Sequence, residues 1–288
     1  MTDSTPVALP ADDSTTVVVV EEHREDVVVV VSDVAVGVVR EREESEEGAE
    51  PMPDVPEPVD PRLGRLPQFD ERSRSFPMSA VLAAPEAKKY KPRSYTWEVP
   101  FHLDQGIDPS CVGCAWTHEL AARPAVVEGL DYAYARWLYK TCQRYDEWSG
   151  ESYAGTSVLA GAKIVRGRPP AIPEGRGLID EYRWIFANLD DLVRTVGYFG
   201  PVIFGTWWYE GMFDPDAEGY LRPTGYRAGG HAYLIKAVDL DDERFRVHNS
   251  WGEQWGEGGD AWLSFEDALR LLREDGECCV PMRRRRLT

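Results

Sequence analysis

Cys111 has the local sequence expected of a reactive thiol. It follows the turn Pro109-Ser110 and opens an apolar run to Ala122 that predicts a helix, which Pro124 ends. A helix N-terminus lowers the pKa of a thiol, because its unpaired N–H groups favour negative charge. Gln105 lies six residues earlier, and its side-chain amide can donate to a developing oxyanion alongside the backbone N–H of Cys111.

A thiolate nucleophile also needs a base, and among the five histidines the sequence favours His231. His118 is seven residues from Cys111 on the predicted helix, roughly 10 Å along its axis, which is too far. His231 opens a predicted strand, His231–Val238, and a turn returns the chain through Phe245–Asn249. This hairpin brings Asn249 near His231, where its amide oxygen can fix the imidazole tautomer.

These residues resemble those of the papain-like cysteine peptidases. Residues 249–259, Asn-Ser-Trp-Gly-Glu-Gln-Trp-Gly-Glu-Gly-Gly, look like the family signature Asn-Ser-Trp-Gly-x-x-Trp-Gly-x-x-Gly. The resemblance implies an oxyanion-hole glutamine, a nucleophile, a base and an orienting asparagine, namely Gln105, Cys111, His231 and Asn249. It also implies that Trp251 shields the Asn–His pair from water and borders the leaving-group side of the cleft.

The same resemblance points to residues that bind substrate. The segment Gly155-Thr156-Ser157 is similar to a glycine-containing segment on the acyl side of the family's cleft, and Ala232 and Gly205 are expected to shape the pocket for the side chain two residues before the cut. Two departures stand beside the nucleophile: Asp108 replaces a disulfide-forming cysteine, and Val112 replaces a tryptophan. Both fit an intracellular, non-secreted type of member.

The elements that must position these residues indicate an α+β fold. Asp131–Tyr145 has the apolar spacing of a half-buried helix, and Thr156 or Ser157 can cap a third helix. Short β-rich runs follow, at Tyr198–Trp208, His231–Val238, Phe245–Asn249 and Asp260–Ser264. We therefore expect a papain-like two-lobed fold, with a helical N-terminal lobe, an antiparallel β C-terminal lobe and the cleft between them.

Composition divides the chain into three regions. Residues 1–60 hold 17 acidic side chains against 3 arginines, and we expect this valine-rich segment to be largely disordered. Alternatives for it are a hairpin of Val17–Val20 with Val27–Val31, a docking strand or a removable pro-segment. Residues 61–88 are predicted to be a linker or pro-like connector, open to processing, and residues 89–288 to be the peptidase domain. An acidic chain is a poor partner for nucleic acid.

Other patterns receive structural interpretations. Cys111-x-x-Cys114 is neither a redox pair nor half of a zinc site by its context, because the remaining cysteines supply no second ligand pair. Cys114 is assigned to the core, Trp207-Trp208-Tyr209 to packing with one ring near the cleft, and Arg283–Arg286 to a solvated tail.

The sequence thus predicts a cysteine peptidase that hydrolyses polypeptides through a thioester, with no cofactor, metal, membrane or nucleic-acid partner. Alternatives are a thioester-forming transferase or deamidase, and a peptidase-like component of a virus particle or larger assembly, docked on a protein partner by its N-terminal segment. No basic N-terminal region precedes an apolar stretch, so the expected location is cytoplasmic, or virion-associated under the second alternative.

Overall fold

The computed structural model describes residues 8–9, 15–22, 25–32, 35–39, 58–67, 71–124, 127, 129–167 and 177–284. The chain divides into two compact units, Met1–Pro53 and Asp54–Thr288. Among the described residues, no helix combines the length and apolar character that crossing a bilayer requires.

The first unit contains four antiparallel strands in the order in which they occur along the chain. They are β1 (Ala8–Leu9), β2 (Thr15–Glu22), β3 (Glu25–Ser32) and β4 (Ala35–Val39). Val17 lies opposite Val30 in the register of β2 and β3, so the two valine runs pair as the hairpin alternative expects. The disorder predicted for residues 1–60 stays a prediction, because the rest of that segment up to residue 57 lies outside the described residues.

The helices of the second unit are α1 (Met78–Leu82), α2 (Cys111–Ala121), α3 (Tyr132–Tyr145), α4 (Val158–Gly167), α5 (Leu189–Tyr198) and α6 (Phe265–Arg273). Helices α2, α3 and α4 were predicted, and so was the cap of α4, where Ser157 accepts the N–H of Ala160 at 3.0 Å. Asp131 caps α3 by accepting the N–H of Tyr134. Short 3₁₀ turns occur at Glu71–Ser75, Pro85–Lys89 and Glu210–Met212.

A seven-stranded antiparallel sheet forms the second lobe, in the order β10-β9-β8-β7-β11-β6, with β5 added beside β8. Its strands are β5 (Tyr95–Thr96), β6 (Ile179–Ile185), β7 (Val202–Tyr209), β8 (Arg227–Asp239), β9 (Arg244–His248), β10 (Asp260–Ser264) and β11 (Glu277–Arg284). Each lobe has its own core. Trp116, Leu138 and Leu159 pack among the helices, whereas Phe204, Trp208 and Phe245 pack on the sheet.

Two features differ from the sequence interpretation. The strand predicted from Tyr198 begins at Val202, because α5 runs to Tyr198 and the chain turns at Gly200. Arg284 is not part of a solvated tail: it ends β11 and forms a largely buried ion pair with Glu119 at 2.9 Å. Residues 285 and 286 of that predicted tail lie outside the described residues.

The predicted connector contributes to the second unit in its described parts. Leu63, Leu66, Met78 and Leu82 are buried there, and Met78 and Leu82 belong to the core of the sheet lobe. The unit accordingly begins at Asp54. The predicted boundary between residues 88 and 89, and processing of the connector, stay predictions.

Candidate active site

Cys111 is the first residue of α2 and is fully buried. Its sulfur accepts hydrogen bonds from the backbone N–H groups of Ala232, Gly64 and Val112. Burial raises the pKa of the thiol to about 11, and these three bonds oppose that rise without cancelling it. Ala232, predicted to line a substrate pocket, therefore lies next to the sulfur of Cys111.

His231 and Asn249 meet across the hairpin of β8 and β9, as predicted. The His231 Nε2 atom lies 2.8 Å from Asn249 Oδ1. Because an amide oxygen only accepts, Nε2 carries the proton and leaves the Nδ1 lone pair available. Nδ1 has no hydrogen-bond partner among the residues that the structure describes. Burial lowers the pKa of His231 to about 4, partly opposed by the Asn249 bond.

Two indole rings enclose the imidazole of His231. Trp251 lies 4.9 Å from it between ring centroids, and Trp208 lies 4.7 Å away in an edge-on arrangement. Trp251 also stacks on Phe213. The placement of Trp251 matches the shielding position that the resemblance implies, and Trp208 is the ring of the Trp207-Trp208-Tyr209 run that reaches the site.

Gln105 is held so that its amide nitrogen faces the cleft. The Ser250 hydroxyl donates to Gln105 Oε1 at 2.6 Å, which fixes the orientation of the amide. Nε2 then donates to the backbone oxygens of Asp108 at 2.6 Å and Arg62 at 2.9 Å. The residue predicted to bind an oxyanion thus binds a peptide carbonyl from another part of the chain.

That carbonyl belongs to residues 58–67, which we call the cleft segment. Its backbone pairs with both walls of the site. Val59 and Arg65 donate to the backbone oxygens of Ala228 and Gly230, each at 2.9 Å. On the opposite wall Thr156 donates to the Gly64 oxygen and Leu66 donates to the Thr156 oxygen, again each at 2.9 Å.

Glycines allow these backbones to approach one another. A Cβ atom on Gly64 would lie 1.9 Å from the Pro109 carbonyl oxygen, and one on Gly155 would lie 2.5 Å from the Gly64 oxygen. Gly155, which also has a φ of +97°, was singled out from the sequence, and here it contacts the cleft segment. The sequence analysis did not predict that this segment occupies the cleft. The pattern that could have indicated it is the small Gly64 among Leu63, Arg65 and Leu66.

The cleft segment also contacts Trp251, which the resemblance places on the leaving-group side. The guanidinium of Arg62 lies 4.1 Å from the ring centroid of Trp251 and pairs with Asp60 at 2.8 Å. From there the chain continues to Arg65, which pairs in parallel with Thr156. If Gly155 marks the acyl side, as the resemblance implies, the segment runs from the leaving-group side to the acyl side. That direction is opposite to the direction of a substrate aligned for cleavage.

The candidate catalytic residues lie close together, but Cys111 and His231 are not hydrogen-bonded to each other. The sulfur of Cys111 is bonded to backbone N–H groups, and within the described residues no hydrogen bond joins it to His231. Gly64 occupies one position beside the sulfur, where a scissile peptide would have to enter.

Cys114 and His118 have structural partners. All five cysteines are free and buried, and Cys114 lies in a small core cluster with Leu103 and Ala135. His118 accepts the N–H of Leu103 at 3.1 Å, which explains its burial on α2.

His102, His248 and Asp260 form a cluster with the donor types of a metal site. Asp260 contacts His248 Nδ1 at 2.7 Å and His102 Nε2 at 3.2 Å. The Lys236 ammonium, however, lies 2.5 Å from the same carboxylate, and Arg246 approaches it at 3.4 Å. These cations already balance its charge, so the cluster is better suited to holding the end of β9, next to Asn249, than to binding a metal ion.

Comparison with known proteins gives matches in structure. No family model and no curated protein sequence matches the chain. Xylellain, a cysteine protease from Xylella fastidiosa, superposes with a TM-score of 0.56 at 21% identity, over 77% of this chain and 96% of that one. Digestive procathepsin L2 proteinase from the larval midgut of Tenebrio molitor gives 0.51 at 18% identity, over 77% and 79%. These neighbours are cysteine proteases of the papain-like type, and the chain has the papain-like, two-lobed α+β fold.

Proposed function

We propose that this protein is a cysteine peptidase that cleaves polypeptides through a thioester on Cys111. The observation that carries the proposal is the amide of Gln105 donating to a peptide carbonyl beside Cys111, while Asn249 holds the imidazole of His231 at 2.8 Å. The turn before α2, the start of α2, strand β8 and the residue after β9 each supply one member of this set, and a purely structural site does not need such a set.

The chemistry assigns one task to each residue. His231 Nδ1 takes the thiol proton, and the Cys111 sulfur attacks the scissile carbonyl carbon. Gln105 and the backbone N–H of Cys111 stabilise the oxyanion. The imidazolium returns its proton to the leaving amine, and a thioester remains. His231 then deprotonates water, which attacks the thioester, releases the carboxylic acid and restores the thiol.

The cleft segment makes this peptidase latent in the described conformation. The Arg62 carbonyl takes the bond that Gln105 would give to substrate, and the Gly64 N–H binds the sulfur. Burial beneath the segment holds the pKa of Cys111 at about 11 and that of His231 at about 4, so both groups are neutral at pH 7. Release of the segment rehydrates both groups and moves the two pKa values towards each other.

The test is active-site labelling with a peptidyl epoxide, combined with hydrolysis of a mixed peptide library, on the full chain. Both are measured at pH 7 and after release of the cleft segment by the Gly64→Ala substitution discussed below. We expect labelling at Cys111 and hydrolysis that disappears in Cys111→Ala, whereas Cys114→Ala keeps both. Hydrolysis that survives in Cys111→Ala would reject the assignment. Added amine separates hydrolysis from acyl transfer, because a transferase would give the substituted amide as its main product.

A further inference from the structure

The loop that leads into α2 is attached to α3 by side-chain bonds. We call residues 105–110 the Gln105 loop. Within it, the Oδ2 atom of Asp108 accepts the Tyr132 hydroxyl at 3.1 Å and the Nε–H of Arg136 at 2.9 Å. Tyr132 and Arg136 are four residues apart on α3, so both side chains leave the same face of the helix. The two bonds therefore tie the Gln105 loop to one face of α3.

Asp108 also contacts Gln105 through the backbone. The Asp108 carbonyl accepts Gln105 Nε2 at 2.6 Å, and the Asp108 N–H donates to the Gln105 carbonyl at 3.0 Å. That carbonyl oxygen lies 3.3 Å from the Tyr132 hydroxyl, whose single proton goes to the nearer and charged carboxylate. A residue whose side chain is bound to α3 thus holds Gln105 at both its amide and its backbone.

Helix α3 is in turn packed closely against α2, which begins at Cys111. A Cβ atom on Gly113 of α2 would lie 2.1 Å from the Ala135 carbonyl oxygen of α3, so the two helix backbones are in direct contact there. The Gln105 loop is therefore referenced, through α3, to the helix of the nucleophile. The separation between the two oxyanion donors, Gln105 Nε2 and the Cys111 N–H, depends on this packing.

We propose that Asp108 is a positioning residue for the Gln105 amide, and that its ion pair with Arg136 sets how firmly that amide is held. The inference rests on the proposed function. Ser250 fixes Gln105 Oε1 from the sheet lobe, and Asp108 fixes Nε2 from the helical lobe. An oxyanion donor contributes most when it is already aimed at the place where charge develops.

A link made by an ion pair responds to salt. The side chain of Arg136 is 60% exposed and that of Asp108 is 23% exposed, so dissolved ions screen their attraction. Between about 0.05 M and about 1 M salt the Debye length shortens to roughly 3 Å. We therefore expect kcat of Gly64→Ala, in which the cleft is open, to fall as salt rises. Arg136→Ala should remove that dependence.

The experiment compares two ion pairs on one helix in the full chain carrying Gly64→Ala. Arg136→Ala breaks the pair with Asp108. Arg144→Ala is the control, because Arg144 is 59% exposed and pairs with Glu151, two helical turns beyond Arg136. We expect Arg136→Ala to lower kcat for peptide hydrolysis about tenfold and to leave KM within about twofold, because the donor is misplaced and not removed. Arg136→Lys keeps the charge and should recover most of the loss.

Alkylation of Cys111 separates positioning of the oxyanion donor from a general structural role. Iodoacetamide reacts with the thiolate by losing iodide from a methylene carbon, so no oxyanion forms and Gln105 takes no part. The alkylation rate of Cys111, followed by mass spectrometry across pH, should be equal in Arg136→Ala and Arg144→Ala. A parallel fall in alkylation and hydrolysis, or equal kcat in the two variants, would overturn the proposal.

A second measurement needs no hydrolysis. The chain has four glutamines, so labelling their side-chain amides with ¹⁵N gives few signals, and the Gln105 signal is the one lost in Gln105→Ala. With Gly64 intact, hydrogen exchange at Gln105 Nε2 should be about tenfold faster in Arg136→Ala than in Arg144→Ala. Faster exchange without hydrolysis in any variant keeps the positioning role and rejects the peptidase. Hydrolysis with equal exchange and equal kcat does the reverse.

Discussion

At the scale of single residues, the site holds a neutral thiol beside a neutral imidazole. The same burial moves the pKa of Cys111 up and that of His231 down, away from the values that would give a thiolate–imidazolium pair. The side chains are positioned as in a catalytic set, but both are uncharged, as side chains in a protein core are. Reactivity therefore depends on what covers these two side chains.

Protonation of His231 makes the binding of the cleft segment over the site depend on pH. The pKa of His231 is about 4 under the cleft segment, against an ordinary value of 6.5. Below pH 6.5, therefore, His231 is protonated when the segment is released but stays neutral when the segment is bound. The charges that face it are Arg62, which opposes protonation, and Asp60, which favours it. Acid between pH 6.5 and pH 4 therefore favours opening, by about tenfold at pH 5.5. We expect the labelling rate of Cys111 at pH 5.5, relative to pH 7.5, to be higher in the wild type than in Gly64→Ala. Superimposable pH profiles of the two proteins would contradict this.

The role of Gln105 is tested by removing its amide. Gln105→Ala, made together with Gly64→Ala so that the cleft is open, should lower kcat/KM about 10²- to 10³-fold, because the oxyanion loses a fixed donor. Steady-state hydrolysis measures the effect. Gln254→Ala is the matched control, since Gln254 is exposed nearby and should leave the rate unchanged. A similar loss in both variants would point to a folding defect instead.

At the scale of elements, the cleft segment is a strand-like insert held by backbone pairing on two sides. Its fit depends on the absence of a side chain at position 64. Each edge hydrogen bond is individually modest, at about 1 kcal/mol, so the segment is held by their sum together with Arg65.

Gly64→Ala should therefore unseat the cleft segment while leaving the two lobes folded. The new methyl group would meet the Pro109 carbonyl, which belongs to the turn before α2 and has little room to move. We expect epoxide labelling of Cys111 at least tenfold faster than in the wild type. Val59→Ala serves as the control, because Val59 is 67% exposed. Equal labelling rates for all three proteins would show that the segment does not limit access.

Sequence patterns predicted the elements that are built from local signals and missed those built from distant partners. The cap at Ser157, the apolar run from Cys111 and the hairpin that joins His231 to Asn249 are local, and the structure has all three. The sequence of the cleft segment resembled that of a connector because it is rich in proline and arginine. Its role depends on Thr156 and Gly230, about 90 and 165 positions away, and no periodicity within the segment encodes such contacts.

At the scale of the whole compact unit from Asp54 onwards, strand β11 is tied to helix α2, which begins at Cys111. Arg284 reaches back from β11 to Glu119 on α2, where burial raises the pKa of the carboxyl to about 7 although Arg284 opposes the shift. The pair joins the sheet lobe to the helical lobe beneath the site.

Arg284→Ala should destabilise the protein by about 3–5 kcal/mol at pH 8, because it leaves a buried carboxylate without its cation. Because the pKa of Glu119 is about 7 even with Arg284 present, the carboxyl is neutral at pH 5 in the folded state of both proteins, and the loss becomes smaller. Urea unfolding at the two pH values measures both effects. The exposed neighbour Arg283 provides the control, and Arg283→Ala should change the free energy of unfolding little. An equal loss at both pH values would exclude Glu119 as the cause.

The cleft segment is part of the same chain as the site it fills, and that gives its occupancy an unusual property. Its local concentration at the site is set by the polypeptide tether, of the order of millimolar for short tethers, and not by how much protein is in solution. Dilution therefore leaves the cleft closed, and a free peptide must compete against that tethered concentration. One backbone cut keeps the segment tethered at its other end and only lowers its local concentration. Cuts on both sides release it as a separate peptide, and dilution then favours an open cleft.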